Sequence, residues 1–454
     1  MAVTVRTNHN LRFNTAVVAP WPSTVDTTNR KVLDQNGDPF LLFGFSSWAM
    51  GQSLTNSEIT SALQAIHARG YNMVNACPCG VDVHSVGSPA KYQNIAGQSY
   101  FTGTPFQSSL GAAWSTMDWV QSETERLGMV LMLSWFVSFG TSGIGGDIDA
   151  ASTAQMRTFG QNVATRYLNA PNMMWHVEGD GGDPPANSTR GRKLDYLFRG
   201  ITETQTTPRL IFAEPQLDTT AYDRYISQEG TDPTGYQWLH LSANSLYSYA
   251  SNSTEVFDTV WAQTGATTYP VWDCEPPYVD NSQYTGNFRQ QVRERNFSVF
   301  IRGGCAINYG DESWWPFDQG TWPIASMSWV SVPDRVETVQ ASYAWALLAA
   351  YCAVLDWAPD TSMLTTGLGS GDTKASSGKS SGAFLIYFPS SRTVTVDTTV
   401  ISGTANVRLR WYDPTAGTFS TVAASEAQQS GRSVSYPGNH ADGTSDYVLV
   451  VDLA

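Results

Sequence analysis

Long apolar runs are missing from this chain, and positive charge is scarce. The opening 31 residues, "MAVTVRTNHNLRFNTAVVAPWPSTVDTTNRK", hold no continuous apolar stretch of the length a secretory signal needs, and no later run approaches a membrane span. The expectation is a soluble chain without a Sec signal and without a membrane partner. Lys and Arg number 26 against 40 Asp and Glu, for a formal net charge of -14. Nucleic-acid affinity rests on cations that neutralise phosphates, so nucleic acid is excluded as a partner class. Cysteines are few and odd in number, at five in 454 residues, which excludes a disulfide framework. Cys77-Pro78-Cys79 has neither a second paired motif nor a nearby His spacing, and reads as buried thiols. No His and carboxylate spacing fits zinc or iron, so no metal and no other cofactor is expected. A Gly-rich dinucleotide fingerprint and a Gly-X-Ser-X-Gly elbow are also absent.

What the chain has in quantity is aromatic surface, with 16 Trp and 20 Tyr. Flat sugar rings bind such side chains through their C–H faces, so a carbohydrate partner fits. The clearest local unit is "LTNSEITSALQAIHARGYNMVNACP". Thr55 and Glu58 form a capping box, Ile59, Ala62, Leu63 and Ile66 share a helical face, and Gly70 ends the helix before the strand-like Tyr71 to Ala76. The same grammar recurs. A helix near Ser115, with Trp119, Val120 and Leu127 as apolar contacts, precedes "MVLMLSWFVS", and Met156, Phe159, Val163 and Tyr167 mark a helix before "NMMWHVEGD". With "FLLFGFSSW", "RLIFAEP", "WLHLSANS", "PVWDCEPP" and "CAINYG", eight short apolar runs alternate with helical segments. That count favours an α/β fold of the (β/α)8 barrel type over an open doubly wound sheet.

After the helix "ETVQASYAWALLAAYCAVLDW" the texture becomes Gly, Ser and Thr rich, with alternating stretches "AFLIYF", "RTVTVDTTV", "NVRLRWYD" and "DYVLVVDL". These predict a small antiparallel β-sandwich. The expected organisation is an N-terminal arm at 1–31, a barrel at 32–360 and the sandwich at 361–454.

Working residues in such a barrel project from the C-terminal ends of the strands. Glu275 ends the seventh run, and strict alternation would put Asp273 on its face, aimed into the mouth if Trp272 and Cys274 point outward. In "MMWHVEGDGGD", ending the fourth run, His176, Glu178 and Asp180 share a face, and the glycines permit a sharp departure into a loop. Two acids facing across one mouth suit glycoside hydrolysis, where one carboxyl holds a proton for the leaving oxygen and the other stays ionised. Glu214, at the tip of the fifth run, is a candidate for a sugar hydroxyl. Trp48, Trp135, Trp314 and Trp315 are candidates for stacking, and His84 and His176 for ligand contact.

"NGDPFLLFGFSSWAM", "LTNSEITSALQAIHARGYNMVNA", "MMWHVEGD", "YPVWDCEPPY" and "INYGDESWWPF" resemble, in that order and spacing, the apiosidase-like glycoside hydrolases grouped with family 140. The C-terminal stretch is similar to the β-sandwich that follows that barrel and carries a collagen-binding family label. The resemblance covers most of residues 32–454. It implies Asp180 as acid/base and Glu275 as nucleophile, with Asp273 and Pro276 matching around Glu275. Three positions depart from the family pattern: Glu178 stands for Gly, Cys274 for Gly, and Asp311 for a His after the Tyr-Gly of the eighth strand. Glu178 near Asp180 would raise its pKa or serve as the acid itself.

The reading is a retaining glycoside hydrolase acting on a carbohydrate substrate, with carboxyls roughly 5 to 6 Å apart. The alternative is a non-catalytic carbohydrate-binding or structural protein, such as a component of a phage or surface assembly, with the Thr/Asn-rich N-terminal arm as the segment that meets an assembly partner.

Overall fold

The computed structural model describes residues 19–80, 90–135, 144–178, 184–230, 235–250, 253–263, 268–282, 284, 286–317, 327–403 and 405–454. The chain enters through an antiparallel hairpin, β1 (Pro22–Asp26) and β2 (Lys31–Asp34). Eight parallel strands follow: β3 (Leu42–Ser46), β4 (Met73–Ala76), β5 (Val130–Trp135), β6 (Met173–Glu178), β7 (Ile211–Glu214), β9 (Asn244–Tyr247), β10 (Val271–Glu275) and β11 (Ala306–Tyr309), with a two-residue β8 (Thr219–Thr220) antiparallel to β9. Their sheet order is β7-β6-β5-β4-β3-β11-β10-β9-β8. The sheet curls until the β7 and β9 ends meet, where Ser242 N–H donates to the Ile211 carbonyl at 2.7 Å.

Helices form the outer layer: α1 (Met50–Ser53), α2 (Asn56–His67), α3 (Trp114–Arg126), α4 (Gly145–Ala150), α5 (Thr153–Arg166), α6 (Thr189–Thr204), α7 (Ala221–Arg224), α8 (Ser253–Trp261), α9 (Phe288–Ile301) and α10 (Val336–Tyr351). The Thr55/Glu58 capping box is present, and a second, Ser152 with Gln155, starts α5. Each satisfies amide groups that a helix start leaves without partners.

The alternation of the strands separates two cores. Leu42, Met73, Val130, Met132, Met174, Phe212, Trp272, Cys274 and Ala306 fill the barrel interior, and Trp21 and Val32 from the entry segment join them beneath the N-terminal ends of the strands. Phe43, Phe45, Val74, Leu131, Leu133, Trp175, Val177 and Ile307 face the helices.

Two sequence expectations shift. The sixth strand lies at Asn244–Tyr247, later than "WLHLSANS" suggests, because the amides of Gln237, Trp238 and Leu239 are taken by one carboxylate oxygen of Asp195 and that of Leu241 by Glu229. Trp119 is 40 % exposed and gives its indole N–H to Thr60, so it is a surface residue of α3.

Beyond α10 lie a six-stranded antiparallel sheet, β12 (Ala358–Pro359), β14 (Ser376–Lys379), β15 (Ala383–Phe388), β20 (Tyr447–Leu453), β17 (Val407–Asp413) and β18 (Thr418–Glu426), and a three-stranded one, β13 (Leu364–Thr366), β16 (Val394–Val396) and β19 (Arg432–Val434). Phe384, Ile386, Phe388, Leu409, Trp411, Leu449 and Val451 pack between the sheets. The opposite face, with Leu385, Tyr387, Tyr412, Val448 and Val450, merges with the barrel's outer core. "AFLIYF" is therefore buried on both faces, which is why it reads as a continuous apolar run. Helix α9 lies between barrel and sandwich and is buried almost all round, so its apolar residues follow no single stripe.

Candidate active site

Strand β10 runs Val271, Trp272, Asp273, Cys274, Glu275, all buried. Its pairing with β9 slips between Asp273 and Glu275: Asp273 stands opposite Leu246, and Glu275 opposite the next residue, Tyr247. A bulge of this kind puts two residues against one and breaks the alternation of faces. The expectation that Asp273 and Glu275 look the same way is corrected accordingly. Trp272 and Cys274 point into the barrel, and Asp273 points outward, where its carboxylate lies 3.4 Å from the guanidinium of Arg295 on α9. Burial pushes the Asp273 carboxyl up to about 6, with Arg295 pulling against that.

Glu275 sits past the bulge at the C-terminal end of the barrel and is 8 % exposed. Its Oε1 accepts hydrogen bonds from the phenols of Tyr247 at 2.8 Å and Tyr249 at 3.3 Å, and its Oε2 from that of Tyr278 at 3.0 Å. Trp48, beyond the end of β3, donates its indole N–H to the Tyr278 oxygen at 2.7 Å. The three tyrosines were not among the sequence candidates. The available signals were Tyr278 closing "PVWDCEPPY" and the Tyr-Ser-Tyr of 247–249 following the sixth strand. The shifted position of that strand is what hid them.

His176 lies on the interior face of β6, fully buried, with its ring 5.9 Å from that of Trp48 and 5.6 Å from that of Trp272. Its Nδ1 is 2.8 Å from Ser134 Oγ, which in turn contacts Asn75 Oδ1. An amide oxygen only accepts, so the Ser134 proton goes to Asn75 and the imidazole keeps its proton on Nδ1. Nε2 is left as an acceptor without a partner among the described residues. Burial lowers the His176 pKa to about 3, so the ring is neutral.

Glu214 ends β7 fully buried, and its charge, like that of Glu275, bears on the Tyr278 phenol and the Cys274 thiol. Burial, and after it these charges, push the Tyr278 phenol well above its ordinary range. Trp48, His176, Glu214 and Glu275 thus come together from four strands. Other candidates have different partners. Asp311 is buried against Arg335 at 3.1 Å, and burial pushes it up to about 7. Trp314 is a core residue whose indole N–H goes to Ser47 at 2.8 Å, and the half-buried Trp315 donates to Glu312 at 2.8 Å. Asp180, His84 and the side chains of Glu178 and Trp135 lie outside the described residues. All five cysteines, Cys77 and Cys79 included, are buried thiols. Among the described residues no cluster of three or more His, Cys, Asp or Glu could hold a metal ion, and no helix is long and apolar enough to cross a membrane.

Comparison with known proteins bears on the fold. A solved structure described as a glycoside hydrolase superposes with a TM-score of 0.77 at 19% identity, covering 96% of this chain and 97% of its own. A glycoside hydrolase family 5 structure from Bacteroides vulgatus gives a TM-score of 0.77 at 20% identity over 95% of this chain and 93% of its own. No curated protein matches the chain. Residues 358–452 match the family described as "Putative collagen-binding domain of a collagenase". Residues 27–351 match the model of the "Apiosidase-like, catalytic domain", and the chain belongs to that family of (β/α)8 barrels.

Proposed function

We propose that this protein hydrolyses a glycosidic bond of a poly- or oligosaccharide with two carboxylates and retention of anomeric configuration. The observation that carries the proposal is Glu275 at the C-terminal end of a barrel strand, held by three phenolic donors. Hydrogen bonds to the charged form keep a carboxylate ionised, the state a nucleophile requires. Glu275 attacks the anomeric carbon and forms the glycosyl ester while the bond to the leaving oxygen breaks. Asp180 gives that oxygen its proton. Water then attacks the same carbon, its proton passes to Asp180, and Glu275 leaves as the carboxylate.

Trp48, joined to Glu275 through Tyr278, and His176, whose ring is 5.9 Å from that of Trp48, are the proposed sugar contacts, and the Nε2 acceptor of His176 suits a sugar hydroxyl. Glu214, at the end of β7, is the carboxylate proposed to meet a sugar hydroxyl.

The test is hydrolysis of a panel of plant, bacterial and algal glycans by the intact protein beside Glu275→Gln and Asp180→Asn. Sugar release that collapses in both variants supports the proposal. No release from any glycan, with glycan binding equal in all three proteins, would favour a non-catalytic carbohydrate-binding role.

A further inference from the structure

Trp48, Tyr278 and Glu275 form a line of hydrogen bonds whose first direction is fixed by chemistry. An indole N–H can only donate, so at 2.7 Å the Tyr278 oxygen must accept from Trp48. The one proton of the phenol is then directed to Glu275 Oε2, 3.0 Å away, with the Ser46 hydroxyl as a further neighbour of the phenol. A tyrosine without such a neighbour could equally turn and accept a proton from a neutral glutamic acid. In Tyr278 the Trp48 bond already takes one acceptor direction of the oxygen, which disfavours that arrangement, and the ring is held as tightly as the oxygen. Tyr278 is 4 % exposed, and a Cβ built on Gly310 would lie 2.0 to 2.5 Å from three of its ring carbons. The loop behind it is fastened as well. Val279 and Gly310 share a backbone hydrogen bond of 3.1 Å, and Arg335 grips both oxygens of Asp280 at 2.8 Å.

We infer that Tyr278, oriented by Trp48, is a positioning residue that holds Glu275 in its ionised form and in one rotamer. This deepens the proposed function and rests on it for the word nucleophile. The electrostatic part stands independently of any substrate. Among the described residues, the other groups near Glu275 are Tyr247 and Tyr249, which also donate to it, and Glu214, whose charge, like that of Glu275, bears on the Cys274 thiol. Like charge on Glu214 opposes charge on Glu275, and a donor on Oε2 works against that.

The experiment is a 13C NMR titration of the full-length protein labelled at the glutamate carboxyl carbon. The Glu275 resonance is assigned by its loss in Glu275→Gln. Tyr278→Phe keeps the ring over Gly310 and removes only the proton. It is expected to raise the Glu275 pKa by about one unit, the scale of one hydrogen bond to a charged group. Trp48→Phe leaves the phenol free to rotate and is expected to raise it by a smaller amount. Circular dichroism establishes that both variants are folded. Unchanged titration in folded Tyr278→Phe would overturn the inference. A shift in Tyr278→Phe with none in Trp48→Phe would overturn the part assigned to Trp48. Failure of the glycan panel with the titration shifts intact would remove the hydrolase reading and leave this one standing.

Discussion

Arg295 spans two jobs with one guanidinium: its Nη1 faces Asp273 at 3.4 Å, and its Nη2 donates to the carbonyls of Ser248 and Ala250, each at 2.7 Å. Those carbonyls flank Tyr249, one of the donors to Glu275. The outward-facing acid of β10 thus anchors, through Arg295, the segment that bears on the inward-facing one.

Removing one partner of a buried pair strands the other's charge. Asp273→Ala is expected to cost about 3 to 5 kcal/mol in chemical denaturation. The Asp273→Ala, Arg295→Met double variant should lose less than the sum of the two single variants. Additive losses would show that the two side chains do not act as a pair.

The pH dependence of stability has two opposed parts. Asp273 and Asp311 have folded pKa values of about 6 and about 7, above their ordinary 3.8. The folded state keeps those protons where the unfolded chain has lost them, so their contribution is greatest below pH 4 and falls as pH rises to 7. His176 has the reverse sign. Its folded pKa of about 3 lies below the ordinary 6.5, so its contribution is complete above 6.5 and is lost on acidification. Asp311→Asn is expected to flatten the decline between pH 4 and 7 by up to about 4 kcal/mol, read from denaturation at a series of pH values. An unchanged slope would remove Asp311 from the account. The His176 ring, followed by NMR, should show no titration above pH 5.

All five thiols are buried, and burial pushes those of Cys79, Cys274, Cys305 and Cys352 up. The thiolate is the reactive form. A disulfide reagent at neutral pH should therefore label none of the five in the native protein and all of them after denaturation. Rapid labelling of Cys274 in the native state would contradict its hydrogen bond to Leu246 O and its place in the barrel core.

Arg293 on α9 is fully buried and bound in a fork to Asp446 of the sandwich at 2.8 and 2.7 Å. With the core continuous across this boundary, calorimetry should show one unfolding transition for barrel and sandwich together. Arg293→Ala is expected to lower stability by about 3 to 5 kcal/mol. Two separated transitions in the unaltered protein would mean that the shared core does not couple them.

Legibility in the sequence followed how local each signal was. The helix from Thr55 and the strand of Met73 to Ala76 were plain because the cap, the apolar face and the stop at Gly70 all lie within one window. Eight apolar runs counted a barrel correctly since each buried strand is a short apolar segment. Glu275 was legible as a strand-end acid. Asp273 was misassigned because a bulge is a relation between two strands, and β10 alone cannot announce its slip against β9. The tyrosines around Glu275 were hidden for the same reason: Tyr247 and Tyr249 reach it from a neighbouring element some 26 to 28 positions away in sequence.

The sandwich has no slack. Trp357, six residues past the end of α10, is already tied back to Ile301 at 3.1 Å, and the sheets close over α9 directly behind the strand that carries Glu275. A module on a tether can search a volume and carry its enzyme along; this one is a fixed bracket. Whatever its outer surface touches is held at one distance and one angle from the barrel mouth. Its reach is that of a ruler, not of a leash.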